Sequence, residues 1–367
     1  MRIPLPVEAG SPLRMIYMVK QMLYSRVYID SFGYEMAPNV VTSEDIENRL
    51  IPLYDKLHLQ KGMLESLTGI YERRFWNPGY SNYEGALKAG AKALNASGIP
   101  KELVGMLLYC GVCRDNLEPA TACAVCDGLG LSDETLVYDV SNACLGVLNG
   151  IIQVANAIEL GQVKAGLVTA CESARDIIDF AIDYLLKTKN MEIFKKRIAT
   201  LTGGSGAVAV LLTDASVSGS GHRLLGGVAK NSTRYHELCR WGSDKKTPLG
   251  GLNIMETDSI GILQHGVSLG SKTFEDLKKE MSWPDDKPDK IICHQVGATH
   301  QKTILKAIGI DEEKDFTTFQ YLGNIGSVSL PITAAIASER EFINSEDMVG
   351  FLGIGSGLNC IMLGIKW

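Results

Sequence analysis

The chain has no basic excess, no membrane-length apolar run, an opening that does not read as a secretory signal, and an odd set of cysteines. Its 367 residues carry 36 Lys and Arg against 42 Asp and Glu, a net charge of −6. That leaves no basic footprint and argues against nucleic acid as a partner. The most apolar helical stretch, around residues 145–158, is interrupted by Asn149, Gln153 and Asn156. No segment therefore reads as a membrane insertion. The opening "MRIPLPVEAGSPLRMIYMVKQ" contains Glu8 and prolines but no clean apolar stretch before a cleavage site, so it does not read as a signal peptide. Residues 1–21 are expected to form a poorly ordered extension. Nine cysteines, an odd number without a leader, point to free thiols in a reducing, cytoplasmic setting.

What is present is ordinary globular material, 46% hydrophobic and 21% charged. This is enough for two domains or one pseudo-duplicated one. The runs 106–112, 165–172, 207–213, 290–296 and 348–357 read as buried strands between helical patterns, which predicts an α/β architecture with covered sheets. A long-range echo refines this. "TGGSGAVAVLLT" (202–213) resembles "GIGSGLNCIMLG" (353–364), each a Gly-Ser-Gly turn followed by an apolar strand. The order of parts in 22–216 returns in 217–367, which predicts two like halves packed as one core.

"YDVSNACLGVLNGIIQVANAI" (138–158) places Cys144 where a strand hands over to a helix that is apolar on nearly all sides. Such a helix is central and buried. Gly146 and Gly150 allow a close neighbour, and the three polar residues on its stripe must find partners inside. At the helix amino end, Cys144 would meet unpaired N–H groups and the positive end of the dipole, a setting that lowers a thiol pKa.

A thiolate nucleophile needs polar partners. His294 closes the apolar strand read at 290–296, and Gln295 beside it also departs from the apolar run. Asn324 sits between glycines before the second echoing helix, in "LGNIGSVSLP". His300 reads as either structural or functional; His58, His222, His236 and His265 read as surface or structural. "CGVC" (110–113) and "CAVC" (123–126) resemble a zinc pattern, but the gap is short, one pair ends a strand and the other lies in a helix after Pro119. No metal site is expected there.

"DVSNACLGVLNG", "CHQVGATH" and "LGNIGSVSLP", in that order and with the ending "GFLGIGSGLNCIMLGIKW", resemble the Cys…His…Asn set of the thiolase superfamily. Within it the chain resembles the ketoacyl-ACP synthase III-like branch, from about Met22 to Trp367. The resemblance implies a five-layered αβαβα thiolase fold, a homodimer, no cofactor, and Claisen condensation of thioesters. It implies that Cys144 carries the acyl group, that His294 and Asn324 hold the thioester oxygen of the second substrate, and that the N–H groups of Cys144 and Ser356 form an oxyanion hole.

Departures narrow the branch. Where fatty-acid-initiating synthases carry a Trp and an Arg against the coenzyme A adenine, this chain has Met63 and Leu67. Where they carry an Arg that docks acyl carrier protein, it has Thr299, which leaves such docking open. The segment 113–130 instead resembles the olefin-pathway enzymes that join two acyl-CoAs head to head, in which a glutamate at the place of Glu118 reaches the partner subunit's site. The chemistry needs such a group: a malonyl donor loses CO₂ to make its carbanion, whereas a plain acyl thioester must lose an α-proton to a base. By residue pattern alone, Glu118 before Pro119 is an ordinary helix-start residue. The alternatives are a decarboxylative 3-oxoacyl-ACP synthase III and, from another class, a non-catalytic thiolase-fold subunit or zinc-bearing scaffold.

Overall fold

A computed structural model describes residues 22–243 and 253–367; the expectation for residues 1–21 lies outside them. The first half builds strands β1 (Val27–Met36), β2 (Val104–Tyr109), β3 (Leu136–Asp139), β4 (Ala165–Glu172) and β5 (Gly206–Asp214). The second builds β6 (Arg223–Asn231), β7 (Lys290–Cys293), β8 (Met348–Gly355) and β9 (Asn359–Lys366). The strands run β7-β8-β9-β6-β1-β5-β4-β2-β3. The two halves of this path join through the single pair Tyr28–Arg223.

The pairing senses repeat. From β1 outward through β5, β4, β2 and β3 they are antiparallel, antiparallel, parallel, parallel. From β6 through β9, β8 and β7 they are antiparallel, antiparallel, parallel. A parallel bridge from Ile291 to Asp315 stands where β3 stands in the first half.

Period-two alternation makes the layers. On β5, Val208, Val210 and Leu212 face a central core, while Ala207, Ala209 and Leu211 face an outer one. On β9, Ile361, Leu363 and Ile365 face that same central core, while Cys360 and Met362 face a second outer one. Between the sheets lie α3 (Gly146–Glu159) and α8 (Ser329–Glu339). Outside them lie α1 (Asn82–Ser97) with α2 (Thr121–Leu129) on one side, and α6 (Ser259–Glu280) with α7 (Ala298–Ile308) on the other. Five layers, helix–sheet–helix–sheet–helix, result. Each fully buried Ile or Val of α3 contributes about 1.5–3 kcal/mol.

The helix α3 resolves the questions its sequence posed. Asn149 accepts from Asn142 Nδ2 at 2.7 Å, Gln153 from the Tyr138 hydroxyl at 2.7 Å and Asn156 from the Tyr24 hydroxyl at 2.9 Å. Each amide therefore has a partner, Asn149 and Gln153 half-buried and Asn156 exposed. The two glycines do admit a close neighbour: a Cβ at Gly146 would lie 2.0 Å from the Cys110 carbonyl oxygen, and one at Gly150 would lie 2.6 Å from Cys110 Sγ. Between β4 and β5 lie α4 (Arg175–Thr188) and α5 (Met191–Arg197), packed over a separate core.

Candidate active site

The strand β3 ends at Asp139, and a single 3-10 turn, Ala143–Leu145, leads into α3. Ala143 is held at φ +46°, left-handed backbone that a non-glycine residue adopts at a cost of about 1–2 kcal/mol. Strain of this kind next to a reactive group is a recurrent feature of functional sites. Cys144 follows and opens onto two adjoining cavities. Strand β8 passes so near that a Cβ at Gly355 would sit 3.5 Å from Cys144 N. The side chain of Asn359 donates to Asn142 Oδ1 at 3.0 Å, tying the start of β9 to the same turn.

His294, Asn324 and Ser356 line the first cavity together with Cys144. The strand β7 stops at Cys293, one residue short of His294, so His294 leaves the sheet rather than closing the strand. Its N–H still donates to the Leu352 carbonyl at 3.0 Å. Asn324 is fixed from both sides: its N–H donates to Thr202 O at 3.0 Å, and Gly204 N–H donates to Asn324 O at 2.9 Å. Its Oδ1 accepts from Gly326 N–H at 3.1 Å. The amide is thereby oriented with Nδ2 as its free donor. Most of the remaining wall is apolar, with Ile262, Val267, Ile304 and Met362, alongside polar Thr257, Ser259, His300 and Gln301. Helix α4 reaches the second cavity through Ile177, with Ala174 just before its start.

The electrostatics correct one expectation. Burial pushes the Cys144 thiol up to about 12, Cys239 and Glu172 add to the rise, and only a contact with backbone N–H opposes it. Desolvation outweighs the helix end. Burial therefore favours a neutral thiol over the thiolate that the helix position alone suggested. Burial, with His300 beside it, pulls His294 down to about 4. Its imidazole is neutral at physiological pH, and Nδ1 has no hydrogen-bond partner among the described residues. Burial thus favours the uncharged forms of both Cys144 and His294 where they face the cavity.

Glu118 is not brought to these cavities within one chain. It lies exposed on the loop between β2 and α2, next to Leu117, which is fully exposed. The loop is rooted by three carboxylates. Glu172 accepts from Val112 N–H and Cys113 N–H at 2.9 and 3.1 Å. Asp115 accepts from Asn82 N–H and Tyr83 N–H at 2.9 and 3.0 Å. Asp139 accepts from Thr121 N–H and Ala122 N–H at 3.0 and 2.9 Å. Residues 116–119 remain as an exposed tip on a fixed base.

Sequence reasoning missed Glu172. It ends the continuous apolar run 165–172, is 4% exposed and lines the second cavity. Burial raises its pKa, while Ser327, Val112 and Cys113 pull the other way. A charged residue closing an otherwise apolar strand was the available signal. The paired C-x-x-C cysteines are dispersed: Cys110 is buried behind α3 and Cys123 is exposed. No group of three or more His, Cys, Asp or Glu gathers as a metal site among the described residues. Thr299 Oγ1 reaches the Leu67 carbonyl at 3.4 Å, so the positions that depart from the fatty-acid-initiating synthases lie side by side.

Residues 138–230 match the family described as 3-oxoacyl-[acyl-carrier-protein (ACP)] synthase III, and residues 279–367 match its C-terminal family. The chain is 50% identical to the acyl-CoA:acyl-CoA alkyltransferase of Shewanella oneidensis over 94% of its own length and all of the relative's. It is 35% identical to the Xanthomonas campestris enzyme of the same name, again over 94% of this chain and all of that one. Its fold superposes on a crystal structure of Xanthomonas campestris OleA with bound lauric acid and lauroyl-CoA, with a TM-score of 0.88 and 34% identity over 94% of this chain and 100% of that one.

Proposed function

Because the chain belongs to the acyl-CoA:acyl-CoA alkyltransferases, thiolase-fold condensing enzymes of olefin biosynthesis, we propose that it joins two acyl-CoA thioesters head to head through an acyl-Cys144 intermediate. The observation that carries the assignment of roles is the convergence of Cys144, His294, Asn324 and Ser356 on one cavity with apolar walls.

In the first half-reaction the Cys144 sulfur attacks the acyl carbonyl carbon. The C–S bond to coenzyme A breaks, and the proton lost by the thiol ends on the departing coenzyme A sulfur. Backbone N–H groups of Cys144 and Ser356 face the carbonyl oxygen as it gains charge. Preorganised donors of this kind are worth about 3–4 kcal/mol each. In the second half-reaction Glu118 of the partner subunit takes the α-proton of a second acyl-CoA. The neutral imidazole of His294 and the Asn324 amide hold the enolate oxygen. The α-carbon then attacks the acyl-Cys144 carbonyl, the thiolate leaves and is reprotonated, and a 2-alkyl-3-oxoacyl-CoA results, from which water releases the free acid and coenzyme A.

A projecting, firmly rooted Glu118 tip suits delivery of a base across a homodimer boundary. The nine free thiols suit a reducing cytoplasm. No helix among the described residues is long and apolar enough to cross a membrane.

Product identity from mixed medium- and long-chain acyl-CoAs, with and without malonyl thioesters, tests the reading. Head-to-head products without malonyl thioester are expected, and Glu118→Gln should abolish them. Dependence on malonyl thioester, unaffected by Glu118→Gln, would instead establish a decarboxylative synthase.

A further inference from the structure

The second sheet runs out beside His294. Strand β7 pairs with β8 on one side. On the other side its last residue, Cys293, meets side chains: Asp315 Oδ1 accepts from Cys293 N–H at 3.4 Å, and Gln295 Nε2 donates to Cys293 O at 2.7 Å. Gln295 is 2% exposed. Its Oε1 accepts in turn from Thr318 N–H at 2.9 Å and Phe319 N–H at 3.2 Å, donors at the start of the short helix Phe319–Leu322 that have no partner within it. That helix ends at Gly323, whose φ of +68° turns the chain into Asn324. The helix start is also fastened to α8, with Thr318 Oγ1 lying 2.6 Å from Thr333 Oγ1.

We propose that Gln295 is a positioning residue for carbon–carbon bond formation, setting His294 and Asn324 of one chain at the spacing that a single enolate oxygen requires. The inference rests on the function proposed above and deepens it. One buried amide spans the residue before His294 and the helix that leads to Asn324. Glutamine suits the place because Cys293 O needs a donor while Thr318 and Phe319 N–H need an acceptor, and its side chain supplies both. The two groups it spaces lie in the second half of the same chain and converge on the same atom of one substrate. A misplacement of about 1 Å between such groups costs about 100-fold in rate. Acyl loading instead uses the Cys144 sulfur and the N–H groups of Cys144 and Ser356, none of which Gln295 holds directly. The two half-reactions should therefore separate.

Gln295→Met keeps the length of the side chain but replaces the amide with a thioether that donates nothing and accepts only weakly. It is expected to acylate Cys144 from acyl-CoA, read by intact mass in single turnover, within about threefold of the wild-type rate. Condensation of the loaded enzyme with a second acyl-CoA should fall by about 100-fold. Gln295→Glu, assayed at pH 6.5 where burial keeps the new carboxyl protonated, again presents one donor and one acceptor. Its condensation should return to within about tenfold of wild type. Equal losses in both half-reactions of folded variants, unchanged condensation in Gln295→Met, or no recovery in Gln295→Glu would overturn the proposal. If Gln295→Met does not fold, Gln295→Glu decides alone. Its condensation relative to wild type should then drop between pH 6.5 and pH 9 while its relative acylation holds, and a parallel drop or none would overturn the proposal. A wild-type arm separates the levels: acylation without any condensed product in the wild type would defeat the proposed function itself.

Discussion

The two central helices begin alike and serve differently. Before α3 stands the 3-10 turn Ala143–Leu145; before α8 stands the 3-10 turn Gly326–Val328. Each turn opens on a left-handed residue, Ala143 at φ +46° and Gly326 at φ +58°. The next residue is Cys144 in one half and Ser327 in the other, and the two turns pack together. Cys144 opens onto the substrate cavities, whereas Ser327 is 2% exposed and donates its hydroxyl to Glu172. The first helical residue differs too: Gly146 lets the Cys110 carbonyl press against α3, while Ser329 Oγ accepts from Ile325 N–H at 2.9 Å. The same backbone device thus yields a nucleophile where its tip finds open space and a clamp where its tip finds a carboxylate. In the second half the polar work passes to Asn324, three residues earlier.

Substitutions can break this division of labour, beginning with the largest effect. Cys144→Ala should lower condensation by about 10⁴-fold or more and abolish acyl transfer to the protein, measured by product formation. Asn324→Ala should leave acylation in place and lower condensation by about 10²–10³-fold, the loss of one preorganised donor. Gly146→Ala pushes a methyl group onto the Cys110 carbonyl and should destabilise the fold by about 1–3 kcal/mol in chemical denaturation.

The thiol's elevated pKa gives a sharper contrast with the helix-end expectation. Below about 12 the Cys144 sulfur is protonated, so its alkylation by iodoacetamide should rise about tenfold per pH unit from pH 7 to pH 9.5. A plateau below pH 7 would show that the helix end prevails over burial. The smallest effects come from the left-handed residues themselves. Gly326→Ala should cost about 1 kcal/mol, while Ala143→Gly should change stability by well under that, because relieved strain is offset by unfolded-state entropy.

Much of this was legible in the sequence because it lies in local patterns. The continuous apolar run 165–172 is β4 residue for residue, and the duplicated Gly-Ser-Gly-plus-strand pattern reappears as β5 and β9 in corresponding places of the two sheets. The order Cys144, His294, Asn324 pointed to residues that fold onto one cavity. What stayed hidden depends on burial and on partners far along the chain. The helix-end position of Cys144 is visible in sequence, but the hydrocarbon that desolvates its sulfur comes from both halves. Glu172 meets Ser327 across 155 residues, a separation no local pattern reports. His294 was placed at a strand end that stops one residue earlier, because polar residues past a buried strand can continue its backbone hydrogen bonding without belonging to it.

The most direct test is the intact mass of the protein after brief exposure to one long-chain acyl-CoA, followed by peptide mapping. A gain of one acyl group on the peptide bearing Cys144, absent from Cys144→Ala, is expected. No gain, or an adduct that persists when Cys144 is replaced, would contradict an enzyme that works through this sulfur.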